Sequence, residues 1–211
     1  VGDFIAAPRS LRTENAKEEK VIEPYRLVTL AAVLSEGNTC HPSGIYVYNW
    51  NKGLAGYQRA GSHGSFPTHP RSGARQWIEE LGLAWMKSTE KYIPEFIFGL
   101  NEDQLAFFLG RLWSGDGYVW TKTKLSSPFY ATSSRRFARQ VQHLLLRLGI
   151  VSVFRCNRFR YRETVKVGYS VLITGKNNIV RFAKILGPHM IGREQALQAL
   201  LVFYESVDDV S

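Results

Sequence analysis

Two stretches of this chain, LVTLAAVLSEG (Leu27 to Gly37) and FFLGRLWSGDG (Phe107 to Gly117), carry apolar residues at helical spacing and finish in an acid followed by glycine. Small residues lie among them, Ala31 and Ala32 in the first and Gly110 in the second, so two helices with closely approaching backbones are expected. The acids Glu36 and Asp116 then stand in the last turn, where the helix already carries partial negative charge and a carboxylate costs about 0.3–1 kcal/mol. Brought side by side, they also repel each other. A shared or adjacent divalent cation relieves both problems. Mg²⁺ suits such a site because it takes few carboxylates and keeps positions for water and phosphate oxygens. The plainer alternative is two core helices with ordinary glycine C-caps. The repetition of the pattern in a basic chain weighs against it.

The chain has 211 residues and a net charge of +9, with a pI near 9.7, which points to a polyanionic partner. Nearly all of the excess lies between Arg135 and Lys166, where nine cations face the single Glu163, a net of +8. That concentration predicts a one-sided field. The alternating charges of ENAKEEK (14–20) read instead as a solvated linker. Hydrophobic residues at 45% and aromatics at 13% are enough for one large domain or two small ones. No apolar run approaches the roughly 18 residues of a membrane span and no leader is visible, so no membrane role is expected. The expected location is the cytoplasm or another intracellular compartment that holds DNA. Cys40 and Cys156 are isolated and read as small hydrophobes. Cys40 and His41 with His63 and His69 fit no common zinc spacing.

Along the chain, residues 1–11 read as a strand and turn before the linker, and Pro24 opens the first acid-tipped helix. GIYVYNW (44–50) is a strand candidate, 53–73 a loop, and ARQWIEELGL (74–83) a short helix closed by Gly82. Asn101 and Gln104 form a candidate capping box for the second acid-tipped helix. A hairpin is expected over GYVWTKTKLSSPFYATSS, followed by a helix capped by Ser134, with Phe137, Val141, Leu144, Leu145 and Leu148 on one stripe. In RCNRFRYRETVKVGYSVLI (155–173), Arg158, Arg160 and Arg162 share one strand face. Val165, Val167, Tyr169, Val171 and Ile173 alternate along the returning strand. The expectation is that the arginines face a groove and the apolar residues face helices, rather than the run being a merely solvated hairpin. A helix over KNNIVRFAKILGP and a buried last helix from about Glu194 to Tyr204 complete the order.

With SGDG at 114–117 and LSEG at 34–37, the chain resembles the LAGLIDADG homing endonucleases in their single-chain, two-motif form. EKYIPEFIFGLNEDQLAFFLGRLWSGDG (90–117) and the helix sequence YATSSRRFARQVQHLLLRLGI (130–150) extend the likeness. VGDFIAAPRSL at the start and VDDVS (207–211) resemble the strands joining an intein splicing domain to its endonuclease, as in replicative-helicase or polymerase inteins. The resemblance implies an α+β fold of two pseudo-twofold-related αββαββα-like halves, the second more complete, packed through the paired helices. Its ranges would be 1–23 for the splicing-domain junction and linker, 24–100 and 101–205 for the halves, and 206–211 for the return. WIEELGL (77–83) and FAKILGP (182–188) would be equivalent.

The implied activity is Mg²⁺-dependent double-strand cleavage of a long DNA target by a pseudo-symmetric monomer, with Mn²⁺ able to substitute. Glu36 and Asp116, with the backbone of Gly37 and Gly117, would hold metal, and water would attack the scissile phosphates with metal assistance. Lys91 matches the family's active-site lysine, and its counterpart in the second half is replaced by Arg193 or Gln195. Arginine cannot shift its pKa as lysine does, which implies slower cutting there and a nick in place of a break. Lys122, Lys124, Arg135, Arg155, Arg158, Arg160, Arg162 and Lys166 are the expected DNA contacts. The first half is shorter between acid and cation by about 20 residues, roughly a hairpin arm. Residue 1 is no splicing nucleophile and no His-Asn pair ends the chain, so this segment alone is not expected to splice. Alternatives left open are a cleavage-impaired DNA-binding or RNA-maturase-type module and a nicking enzyme.

Overall fold

The computed structural model describes residues 21–40, 45–47, 73–119 and 127–206. Pro24 starts helix α1 (Pro24–Glu36), its missing N–H costing nothing at that position. Two-residue strands β1 (Gly37–Asn38) and β2 (Tyr46–Val47) pair antiparallel beyond it. Helix α2 (Gly73–Glu80) is followed by Gly82 with a φ of 70°, a left-handed conformation that glycine adopts without strain. A 3₁₀ turn (Glu95–Gly99) leads to α3 (Glu102–Asp116), which packs directly on α1. Asn101 accepts from the backbone N–H of Gln104, as a cap should. Gln104 does not return the bond, however, and donates through Nε2 to Ile22 O at 2.9 Å. The expected box is therefore half a box, with its glutamine tying the entry of α1 to the start of α3.

The second half is built on a four-stranded antiparallel sheet in the order β3-β4-β6-β5. Its strands are β3 (Gly117–Tyr118), β4 (Phe129–Thr132), β5 (Ser152–Tyr161) and β6 (Thr164–Ile173). Helices α4 (Arg135–Arg147), α5 (Lys176–Leu186) and α6 (Glu194–Ser206) complete it. Ser134 caps α4 by accepting from Phe137 N–H, and the predicted stripe is fully buried. Trp113 of α3 lies 5.4 Å from Tyr130 and 5.0 Å from Phe182, ring centre to ring centre, which fuses helix, sheet and α5 into one core. The architecture is α+β, with helices on one face of an antiparallel sheet.

Several expectations change on contact with the fold. Gly110 does not open room for α1, because a Cβ there would meet His189 Cβ at 2.5 Å and Leu186 O at 2.9 Å, so it seats the turn after α5. Arg162 is not on a strand but in the two-residue turn between β5 and β6, with a φ of 54°. The last helix is only half buried: Leu197 and Leu200 are inside while Val202 is 57% exposed. Cys40 and Cys156 are free and exposed, not packed as hydrophobes. The expected strands at 1–11 and 207–211, the lysines Lys122 and Lys124 and all of the loop at 53–73 but Gly73, which opens α2, lie outside the described residues. Among the described residues, no helix is long and apolar enough to cross a membrane.

Candidate active site at the paired helix ends

The two acid-glycine ends meet where Gly115 of α3 faces Ser35 of α1. A Cβ on Gly115 would lie 2.3 Å from Ser35 Oγ and 2.6 Å from its Cβ, so only glycine allows this approach. Gly37 and Gly117 are not left-handed caps. Both are extended, with φ of −79° and −77°, and each runs straight into a strand. Glycine is needed there for space, because a Cβ at Gly37 would meet Val33 O at 2.4 Å. Glu36 and Asp116 are thereby delivered to the same junction.

Their electrostatics bear this out. Burial pushes the Glu36 carboxyl up to about 7, Asp116 adds to the rise, and Arg193 opposes it. Burial likewise raises Asp116 to about 6, against the pull of Lys91. Asp116 is open to solvent yet ringed by protein in a cleft of about 430 Å³, whose walls include Lys91, Asn157 and Ser170. Glu36 Oε2 is buried and has no hydrogen-bond partner among the described residues. Two carboxylates held partly protonated, one with an unsatisfied oxygen, fit a hard divalent cation, which would satisfy that oxygen and lower both pKa values. No third His, Cys, Asp or Glu forms a metal-binding group with them among the described residues. That is the sparse carboxylate set that Mg²⁺ accepts.

Two cations sit at the helix ends. Lys91 Nζ lies within hydrogen-bond distance of four carbonyl oxygens at the end of α1: Leu34 at 2.9 Å, Val33 and Gly37 at 3.2 Å, and Ser35 at 3.3 Å. It neutralises the negative helix end that made Glu36 awkward. Its backbone is held in turn by the second half. Ser134 Oγ donates to Lys91 O at 2.6 Å, and Gln140 exchanges two hydrogen bonds with the backbone of Ile93. At the other end Arg193 Nη2 donates to Gly117 O at 3.1 Å. Arg193, rather than Gln195, therefore stands where Lys91 stands in the first half. Its loop is pinned by Ile191 N–H donating to Ser114 Oγ at 2.8 Å. The electrostatic partnerships cross: Lys91 caps α1 but acts on Asp116, and Arg193 caps α3 but acts on Glu36. The carbonyls of Gly37 and Gly117, expected as metal ligands, thus each accept a hydrogen bond from a cation.

Strand register corrects the reading of the basic hairpin. Arg158 pairs with Val167 and Arg160 with Val165, and directly opposed residues share a face. That face continues inward through Cys156 and Tyr169 to Phe154 and Val171, where it packs on α4. The arginines and valines therefore occupy one face, not two, and Val165 is 70% exposed because the hairpin reaches past the helices. Arg155 and Lys166 occupy the opposite face with Asn157, Phe159 and Ser170, several of which line the acid cleft. Arg135 is exposed at the first turn of α4. Arg147 is not part of any basic surface; it is buried and donates to Phe98 O and Leu100 O at 2.7 and 2.8 Å. The predicted one-sided field is thus divided between two sheet faces, helix α4 and the core. The sequence marks Ser134 as a cap but not as a support for Lys91, and it gives no role to Gln140, Asn157 or Ser170; only polar residues among aromatics at period two could flag the last pair.

Residues 103–187 match the LAGLIDADG-like domain family. The chain is 34% identical over 140 residues to the replicative DNA helicase DnaB of Rhodothermus marinus, which is 65% of this chain and 15% of that protein. It is 36% identical over 115 residues to the replicative DNA helicase DnaB of Synechocystis, covering 53% of this chain and 13% of the relative. A third similarity, 29% over 127 residues, is to a glutamine–fructose-6-phosphate aminotransferase of Methanocaldococcus jannaschii, covering 60% of this chain and 11% of that protein. The chain therefore spans only a small fraction of the relatives it matches.

Proposed function

We propose that this chain, whose residues 103–187 form a LAGLIDADG-like domain, is a site-specific endonuclease that makes Mg²⁺-dependent double-strand breaks in DNA. The observation that carries this reading is the convergence of Glu36 and Asp116 at the abutting helix ends, beside a cleft walled by an antiparallel sheet. Glu36 and Asp116 would hold the cation, and Mg²⁺ bound there would supply charge stabilisation to the scissile phosphate and the leaving oxygen. The chain itself orients that site: Gly115 sets the spacing, Lys91 and Arg193 neutralise the helix ends, and Ser134 fixes the lysine's backbone. Lys91 places positive charge in the cleft, and Lys166, on the same sheet face further out with its ammonium over the Tyr161 ring, adds charge for the phosphate backbone.

Similarity to parts of proteins as unlike as a helicase and an aminotransferase supports an insert carried by its hosts, not a share in their activities. We take the chain to be the endonuclease of an intein, borne by a replicative helicase. Incubation with Mg²⁺ and intein-free replicative-helicase genes on plasmids, with an EDTA control, tests both statements. Discrete Mg²⁺-dependent breaks at one site are expected, and binding without breaks would leave a DNA-binding remnant. A second reading, nicking of one strand, is favoured by the substitution of Arg193 at the position of Lys91. Open circles without linear product would establish it.

A further inference from the structure

The wall of the cleft opposite Asp116 carries an arrangement that neither phosphate contact nor folding explains. Asn157 is exposed on β5, and its Nδ2 donates to the hydroxyl of buried Ser170 at 2.6 Å. That bond engages one amide hydrogen and ties the carboxamide to the sheet. The other N–H and Oδ1 have no partner among the described residues. Two residues along the same face, Phe159 lies over Gly168, whose added Cβ would come within 3.1 Å of the ring. The ring is nevertheless 46% exposed. Gly168 is the diagonal neighbour of Phe159, opposite Asn157, and its lack of a side chain lets the ring lean across the sheet while part of it stays open. Asn157, Phe159, Gly168 and Ser170 line the same cleft as Asp116 and Lys91. On one strand face, residues two apart stand about 7 Å apart, within the span of one base pair's major-groove edge.

We propose that Asn157 and Phe159 form a base-pair subsite beside the cut, accepting one A·T pair, with Asn157 on the adenine and Phe159 on the thymine methyl. The inference rests on the DNA-cleavage reading and deepens it. A carboxamide edge offers one donor and one acceptor, matching adenine N7 and its N6 amino group. Guanine presents two acceptors there, so whichever way the carboxamide is turned its oxygen meets one of them. Phe159 gains apolar contact only from thymine, because cytosine lacks the methyl.

The test is selection from a randomised duplex library by the whole chain in EDTA, followed by binding to the enriched duplex with single-atom changes. Replacing the adenine by 7-deazaadenine, or its thymine by uracil, is expected to weaken wild-type binding roughly tenfold, the scale of one good base contact. Asn157→Ala should lose the response to 7-deazaadenine alone, and Phe159→Ser the response to uracil alone. Ser170→Ala should weaken the adenine preference without moving the thymine response. Enrichment of duplexes with no A·T requirement next to the cleavage position, or indifference of the wild type to both analogues, overturns the subsite and leaves the endonuclease standing. Failure to enrich any duplex overturns both.

Discussion

The end of α1 and the end of α3 are built on one plan and finished differently. At α1 a compact ammonium from Lys91 sits among four converging carbonyls, and at α3 a planar guanidinium from Arg193 reaches one. Arg193 Nε is left buried without a partner among the described residues. The difference is one of shape. A point charge with three rotatable donors can fill a ring of carbonyls, whereas a rigid fork prefers two parallel acceptors. The two ends therefore share their charge but not their rigidity, and the crossed pairing puts the better-held cation beside Asp116.

The largest effects should come from the acids. Asp116→Asn and Glu36→Gln are each expected to lower double-strand cutting at least about 100-fold while duplex binding stays near wild type. Plasmid assays resolve circles from linears, and loss of binding in both variants would break the assignment. Next, Lys91→Met should destabilise the fold by about 2–3 kcal/mol, because it strips charge-assisted bonds from a helix end, and Arg193→Met by about half that. Equal losses in urea melts would show that the two ends are equivalent after all. Gly115→Ala should cost about 1–3 kcal/mol through overpacking on Ser35. The matching change on the other helix, Ser35→Ala, should cost less, because it removes a contact and adds none.

The smallest effect is a pH dependence. In EDTA both carboxyls bind protons more tightly folded than unfolded, with values of about 7 and 6 against ordinary ones of 4.5 and 3.8. The folded state holds more protons across roughly pH 4–7, so their contribution to stability falls as pH rises through that window. Solvent access should keep this near about 1 kcal/mol. The Glu36→Gln, Asp116→Asn double variant should lack it in thermal melts against pH, and a steeper slope in the variant would reverse the sign argued here.

Much of the local structure was legible in the chain. Pro24, Asn101 and Ser134 mark helix starts because the orphaned N–H groups of a first turn select those residue types. The acids could be singled out because a carboxylate at a helix C-terminus is unfavourable wherever the helix ends up. The cations at those ends are legible only as candidates: the sequence favours Arg193 with Gln195 as the alternative, and only the fold brings Arg193 to Gly117 O. Gly110 and Gly115 look alike in sequence and differ only in what stands across from them, a turn in one case and the partner helix in the other.

The sequence by itself determined the helices, their caps and the repeated acid-glycine ends, since these follow from interactions spanning three or four residues. Tertiary structure decided which side of β5 each arginine takes, where Arg147 goes, and that each helix-end cation acts on the acid of the opposite helix. Those outcomes depend on strand register and on partners dozens of residues away. A one-residue slip exchanges the two faces of a strand while its composition stays the same.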